Sequence, residues 1–141
     1  MDNQIFPCLW YDGNAKSAAE FYCSVFKNSR ILEDTPMVVI FELNGNRVMG
    51  LNGGPHFKFS EAVSFVVNCE DQEEIDYYWE KLTADGGQES MCGWLKDKYG
   101  FSWQIVPSII SKLMSDPDKA QRVMQVIMGM KKLDIQKLVD A

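Results

Sequence analysis

Two polar residues interrupt stretches that otherwise have the composition of buried strands: Ser64 in Ala-Val-Ser-Phe-Val-Val and Gln104 in Phe-Ser-Trp-Gln-Ile-Val. A hydroxyl or amide in such a setting needs a partner in the protein, in water or in a ligand, because burying it unpaired costs on the order of 1–3 kcal/mol. Strand alternation sends Ser64 away from Val63 and Phe65, and Gln104 away from Trp103 and Ile105. Where the larger apolar sides pack on helices, both polar groups point into whatever the sheet encloses. Trp94 adds a flat stacking surface with one donor, and Arg47 a guanidinium that pairs with an anion where it faces inward. The competing readings are Trp94 as core and Arg47 as a solvated strand end.

Other chemistries find less support. The single histidine, His56, lies in the turn sequence Gly-Gly-Pro-His-Phe-Lys-Phe, and one imidazole cannot make a multi-histidine metal site. No G-x-G occurs, so the glycine loop that brings a nucleotide or a dinucleotide onto a helix N-terminus is missing. Most carboxylates fall on helix faces (Glu73, Glu74, Asp76, Glu80) or in turns (Asp71, Asp85, Asp97), where solvation or capping explains them. Cys8, Cys23, Cys69 and Cys92 are widely spaced, form no C-x-x-C pair and read as reduced residues in apolar surroundings.

The elements that must position these residues follow from hydrophobic periodicity. Ile5 to Tyr11 is an almost continuous apolar run, read as a strand buried on both faces. Ala18, Phe21, Tyr22, Val25 and Phe26 make a helical stripe with Asn14 or Asp12 as N-cap, the helix ending near Lys27-Asn28. A short strand between Arg30 and Pro36, a strand from Met37 to Leu43, a turn at Asn44-Gly45-Asn46 and a strand from Arg47 to Leu51 complete the first half. After Asn52-Gly53-Gly54-Pro55 the order repeats. Ala62 to Val67 is a strand, Asp71 and Glu74 a capping box, Ile75, Tyr78, Trp79 and Leu82 a helical stripe closed by Gly86-Gly87. Strands follow at Gln88 to Cys92, Trp94 to Lys98 and Ser102 to Val106. At an offset of 57, Phe6, Cys8 and Trp10 fall on Val63, Phe65 and Val67, and Ala18, Tyr22 and Val25 on Ile75, Trp79 and Leu82. The agreement predicts a tandem duplication of a β-α-β-β-β unit.

Beyond Pro107 the periodicity is helical: Ile109, Ile110, Leu113 and Met114, then Ala120, Val123, Met124, Ile127 and Met128, then a last turn capped by Asp134 with Ile135 and Leu138. Four of the eight methionines lie between Met114 and Met130, on a face that packs on a sheet, on a second subunit or on a ligand.

Composition bounds the rest. The 141 residues are 46% hydrophobic and 24% charged, with 10 Gly and 5 Pro, as in one ordinary globular domain. Twenty acidic against fourteen basic residues leave a net charge of −6, which disfavours nucleic acid and anionic membranes as partners. No apolar run approaches the ~20 residues of a membrane span, and Met1-Asp2-Asn3-Gln4 does not begin a signal peptide, so a cytoplasmic location is expected. Paired modules occupy 1–107 (about 1–54 and 60–107), and 108–141 is a helical extension of the same domain.

The stretch A-x-x-A-A-E-F-Y-x-x-x-F from Ala15 to Phe26, together with the duplicated pattern, resembles the vicinal oxygen chelate superfamily, the glyoxalase and bleomycin-resistance fold. Gly13-Asn14-Ala15, Ser64-Phe65-Val66-Val67, Glu74-Ile75-Asp76-Tyr77-Tyr78-Trp79, Cys92-Gly93-Trp94-Leu95-Lys96-Asp97 and Ser102-Trp103-Gln104-Ile105-Val106-Pro107 are similar to its PhnB-like branch, often labelled 3-demethylubiquinone-9 3-methyltransferase. The resemblance covers essentially the whole chain. It implies an α+β fold of two tandem βαβββ modules whose curved sheets surround a cavity, a C-terminal helical tail and a homodimer. In metal-dependent members four inward strand positions carry His, Glu or Gln; here they fall on Pro7, Met49, Ser64 and Gln104. One amide and one hydroxyl are too few donors for a dication, so no metal is expected. No cofactor is expected either, since the usual glycine-loop signature of S-adenosylmethionine sites is missing. The leading expectation is binding, with or without conversion, of a small organic molecule in a metal-free cavity lined by Ser64, Gln104, Trp94 and Arg47. Sequestration of a drug or metabolite without turnover is the second, and a metal-dependent lyase or dioxygenase the third.

Overall fold

The computed structural model describes residues 3–141, which divide into two compact units, the first ending at Phe59 and the second beginning at Ser60. Each contains one open four-stranded sheet, and the class is α+β.

In the first unit, β1 (Cys8–Tyr11), α1 (Ala15–Val25), β2 (Arg30–Asp34), β3 (Val38–Leu43) and β4 (Asn46–Asn52) form a sheet of order β1-β4-β3-β2, with β1 parallel to β4 and the other pairs antiparallel. The β3–β4 hairpin turns at Asn44 and Gly45, both at positive φ (49° and 83°), the pair of left-handed residues that a tight two-residue turn requires. One face of β1 is buried, through Leu9 and Tyr11, while Cys8 is exposed and Ile5 is 96% exposed. The expectation of a strand buried on both faces is therefore corrected: only the α1 side is covered. Ala15, Ala18, Ala19, Tyr22 and Val25 bury the inner stripe of α1, and its small residues permit close approach, a Cβ at Gly50 coming within 3.1 Å of Ala15 Cβ. The expected Asn14 cap makes no side-chain bond. Asn52 Oδ1 accepts from the Ala15 amide at 2.9 Å instead, tying the helix start to the end of β4.

The second unit repeats the order with β5 (Ser64–Cys69), α2 (Gln72–Thr83), a 3₁₀ turn (Ala84–Gly86), β6 (Gln88–Glu89), β7 (Trp94–Lys96) and β8 (Ser102–Pro107), its sheet running β5-β8-β7-β6. Ile75, Trp79 and Leu82 bury the face of α2. Asp71 Oδ1 caps the helix through Glu74 N at 2.9 Å, but the Glu74 carboxylate reaches back to Glu70 N rather than to the cap residue. The strand expected at Gln88 to Cys92 shortens to Gln88–Glu89, because Cys92 and Gly93 take left-handed φ values (64° and 82°) and donate their amides to Met130 O and Lys131 O of the tail. That tail comprises α3 (Ile110–Leu113), α4 (Pro117–Met128) and α5 (Ile135–Val139), closed over Val123, Ile127, Leu133 and Leu138, with Cys92 and Val106 packed against them. Of the methionine stripe, Ile127 is thus spent on the tail's own core, while Met124 and Met128 stay exposed. No helix among the described residues is long and apolar enough to cross a membrane.

The duplication is real in topology, but the strand alignment needs a correction of one residue. The helices superpose at 57, Ala18 on Ile75 and Val25 on Leu82. The first strands, β1 and β5, superpose at 58, since Tyr11 O accepts from Gly53 N as Cys69 O accepts from Ser108 N, both strand ends being buried. A slip of one residue exchanges the faces of a strand. Cys8 therefore corresponds to exposed Val66, not to Phe65, and the link from strand to helix is one residue shorter in the second unit.

Candidate functional site

The second sheet turns one side to α2 and the other, its free side, away from the helix, where Val66 is exposed, Gln104 and Trp94 are half-buried and Ser102 is buried. Phe65, Leu95, Trp103 and Ile105 take the helix side, with Phe65 edge-on to both Phe101 and Trp103 at ring distances of 4.8 and 5.4 Å. On the free side the ladder register aligns two rows. One runs Ser64–Ser102–Lys96–Gln88 across all four strands. The next runs Val66–Gln104–Trp94. The sheet thus gathers three expected site residues, Ser64, Gln104 and Trp94, on one face. Gln104 Nε2 donates to Ser64 Oγ at 2.9 Å. That single bond leaves the Gln104 carbonyl, the Ser64 proton and the Trp94 indole N–H without a protein partner among the described residues. Val66 is 55% exposed beside them.

Sequence reasoning missed Ser102, whose type and place in Phe-Ser-Trp-Gln look ordinary. It is 1% exposed and its hydroxyl has no hydrogen-bond partner. Lys96 was also missed; its ammonium meets the carboxylate of Glu61, and this bond holds the Glu61 carboxyl below the ordinary carboxylate range.

What holds these strands in place is Asp97, a carboxylate that is 2% exposed. Its Oδ1 accepts from Tyr99 N (2.8 Å) and Phe101 N (3.1 Å), and its Oδ2 from Trp103 Nε1 (2.8 Å). Solvation therefore does not account for Asp97; it organises the β7–β8 turn from inside, and the position of Trp94 and Gln104 on facing strands depends on it.

Arg47 belongs to the first unit. It lies opposite Glu42 in the β3–β4 ladder and its guanidinium sits 5.6 Å from the Phe6 ring centre, half-buried. It shares the side of Met49, as expected, but Pro7 does not. Met49 pairs with Cys8, so alternation places Phe6 and Cys8 on that side and Pro7 with Leu9 on the helix side. Trp10 was not singled out from sequence. Its Nε1 donates to Gly54 O at 2.9 Å, its ring meets Phe57 edge-on at 4.8 Å, and it lies so close to Gly53 that a Cβ there would fall 2.2 Å from the ring.

The donor set does not fit a divalent metal. On the free side of the second sheet the oxygens are hydroxyls and amides, and Lys96 brings positive charge; no group of three His, Cys, Asp or Glu capable of holding a metal occurs among the described residues. S-adenosylmethionine fits no better, because its sulfonium is a cation and this face carries no carboxylate except through the Glu61–Lys96 pair. His56 is exposed in its loop. Cys69 is fully buried and its thiol is pushed up to about 12, burial first and the carboxylates of Glu74, Asp71 and Glu70 next. A groove of about 510 Å³ lies elsewhere in this unit, lined by Gln72, Asp76, Glu89 and residues of the α4–α5 link. Several of its polar groups are already engaged, Lys132 with Asp76 at 2.7 Å, Gln72 with Leu133 O and Ile135 N, and Glu89 with Trp79 Nε1. The groups left over there are the exposed ammoniums of Lys131 and Lys137, whereas on the Ser64–Gln104 face they are an amide carbonyl, a hydroxyl and an indole N–H held by strands.

The profile of the family described as 3-demethylubiquinone-9 3-methyltransferase matches residues 3–106. A PhnB protein from Bacillus cereus is 33% identical, with 75% of this chain and 100% of that one covered and a TM-score of 0.67. A glyoxalase-related enzyme from Fulvimarina pelagi (15% identity, 77% and 90% covered, TM-score 0.55) shares the fold. So does the fosfomycin resistance protein FosX from Listeria monocytogenes in complex with Mn(II) and sulfate (14% identity, 80% and 96% covered, TM-score 0.59). No curated protein matches the sequence.

Proposed function

The chain belongs to the 3-demethylubiquinone-9 3-methyltransferase family, within the vicinal oxygen chelate superfamily, and from that premise we propose that it binds a small organic molecule, without a metal, on the free side of its second sheet. The observation that carries this reading is the cluster of Ser64, Gln104 and Trp94 on one face, joined by one internal bond and otherwise unsatisfied. An amide carbonyl, a hydroxyl proton and an indole N–H beside exposed Val66 match the usual make-up of a ligand site, mostly apolar with a few oriented polar groups.

Binding without turnover is the second reading, and one observation favours it over conversion. Lys96 is the sole titratable residue in the two rows and its ammonium is engaged by Glu61, so no unpaired general acid or base stands over a ligand there. A lyase or dioxygenase that depends on a metal would need donors these positions do not offer. The protein acts as a homodimer in this proposal, since Met124 and Met128 on α4 leave large apolar side chains uncovered. Its free cysteines suit a reducing, cytoplasmic setting.

A thermal-shift screen against anionic, neutral and cationic metabolites and against Zn, Ni, Mn and Fe tests the site. At least one organic class should raise the melting temperature of the native chain but not of Gln104→Leu, and the divalent ions should not. A micromolar 1:1 metal site lost in Gln104→Ala would overturn the metal-free reading. Light scattering at micromolar concentration should return twice the mass of one chain, and a monomer would refute the dimer.

A further inference from the structure

The polar row and the apolar row of this face differ in a way that specifies the ligand. Ser64, Ser102 and Lys96 stand on three adjacent strands, β5, β8 and β7, in direct register. Their spacing is roughly 5 Å from one strand to the next. Ser64 Oγ already accepts from Gln104 and keeps its proton to donate. Ser102 Oγ is buried with no partner among the described residues, an uncompensated hydroxyl that an acceptor displacing its cover would relieve. Lys96 is an obligatory donor. Gln88, at the end of the row, brings the only other side-chain acceptor. The neighbouring row is Val66, Gln104 and Trp94, a flat and largely apolar strip.

Resting on the proposed small-molecule site, we infer that the row Ser64–Ser102–Lys96 is a subsite for the oxyanion of an organic anion, carboxylate or phosphate, whose planar apolar body lies along Val66 and Trp94. The protein carries a stand-in for that anion. The carboxylate of Glu61, three residues before Ser64 and exposed, sits on the Lys96 ammonium, and an incoming ligand would exchange with it. The pairing of donors is charge-assisted and suits an acceptor with two or three equivalent oxygens, which neither a neutral amide nor a cation supplies.

The test uses the full chain labelled with ¹⁵N at tryptophan, the Trp94 indole signal being assigned through Trp94→Phe. Benzoate and phenyl phosphate serve as anionic probes that distinguish the two oxyanions, and benzamide as the neutral isostere. At least one anion should shift the Trp94 signal saturably, at least tenfold more tightly than benzamide. Ser102→Ala should weaken it roughly tenfold, the loss of one hydrogen bond to a charged group, while leaving the melting temperature unchanged or higher. Lys96→Met should weaken it at least as much, and Glu61→Gln should tighten it severalfold. A benzamide affinity equal to that of the anions would overturn the oxyanion subsite while leaving the binding face in place. Unchanged affinity in Ser102→Ala, a fall in its melting temperature of several degrees, or no Trp94 shift with any of the three probes would also overturn it, and the binding reading would then be judged by the metabolite screen alone.

Discussion

The two sheets have the same strand order and corresponding rows, and they dispose of charge in opposite ways. In the first, the row that matches Ser64–Ser102–Lys96–Gln88 runs from Phe6 through Arg47 and Glu42 to Arg30. Arg47 lies over the Phe6 ring, and Arg30 Nε donates to Glu42 at 2.8 Å. That row closes on itself. The second row keeps a buried hydroxyl without a partner and a lysine held only by an exposed loop carboxylate. One duplicated frame has therefore become structural in one copy and receptive in the other, and the difference lies in side chains, not in topology. The hairpins that carry the two rows differ too. Left-handed Asn44 and Gly45 turn the first, whereas the second adds to left-handed Gly100 the buried carboxylate of Asp97.

Breaking that second device should have the largest effect. Asp97→Ala removes the acceptor of the Tyr99 and Phe101 amides and of the Trp103 indole N–H from a buried site, so a loss on the order of 3–5 kcal/mol is expected in urea unfolding. Asn44→Ala, at the matching turn of the first unit, should cost no more than about 1–2 kcal/mol, the strain of one left-handed residue. Equal losses would erase the contrast between the hairpins.

Next comes the packing around Trp10. Gly53→Ala puts a methyl carbon 2.2 Å from the indole, and displacing the ring should cost about 1–3 kcal/mol with loss of the Trp10–Gly54 hydrogen bond. Melting curves check the stability and tryptophan emission the ring's new environment. The second sheet, distant in sequence, should keep its Trp94 signal.

Gln104→Leu removes one part-buried bond to Ser64, and the expected loss is about 0.5–1.5 kcal/mol. A loss above ~3 kcal/mol would make Gln104 a tie between strands and not a ligand group. Thiol titration sharpens the comparison by pH. The raised pKa of Cys69 means that the folded state holds its proton while the unfolded chain loses it near pH 9, so this residue's contribution is intact below that pH and declines as pH rises toward about 12. Exposed Cys8 should label in the native protein at pH 8, and Cys69 only on unfolding. The smallest effect is expected at the rim of the first row, where exposed Arg30→Ala should cost less than ~1 kcal/mol and little of that in high salt.

Local patterns in the chain carry the repeated β-α-β-β-β order, the helical tail, the faces of both long helices and the opposite facing of Ser64 and Gln104 to their neighbours. These are local properties: period, caps and turn residues act over a few positions, and an apolar stripe states which side is covered. The chain also carries the family, through the motifs around Trp94 and Gln104. The tertiary structure alone decided which strand residues share a row. The strand offset of 58 and not 57 moves Pro7 off the free side and brings Cys8 onto it, and a one-residue slip of that kind leaves the hydrophobic pattern of a short apolar run almost unchanged. It alone decided that Asn52 and not Asn14 caps α1, that Asp97 is buried and fully engaged, and that the hydroxyl of Ser102 is buried without a partner. Hydrogen-bond satisfaction depends on groups brought together from distant parts of the chain, and no local pattern records which donor will be left over.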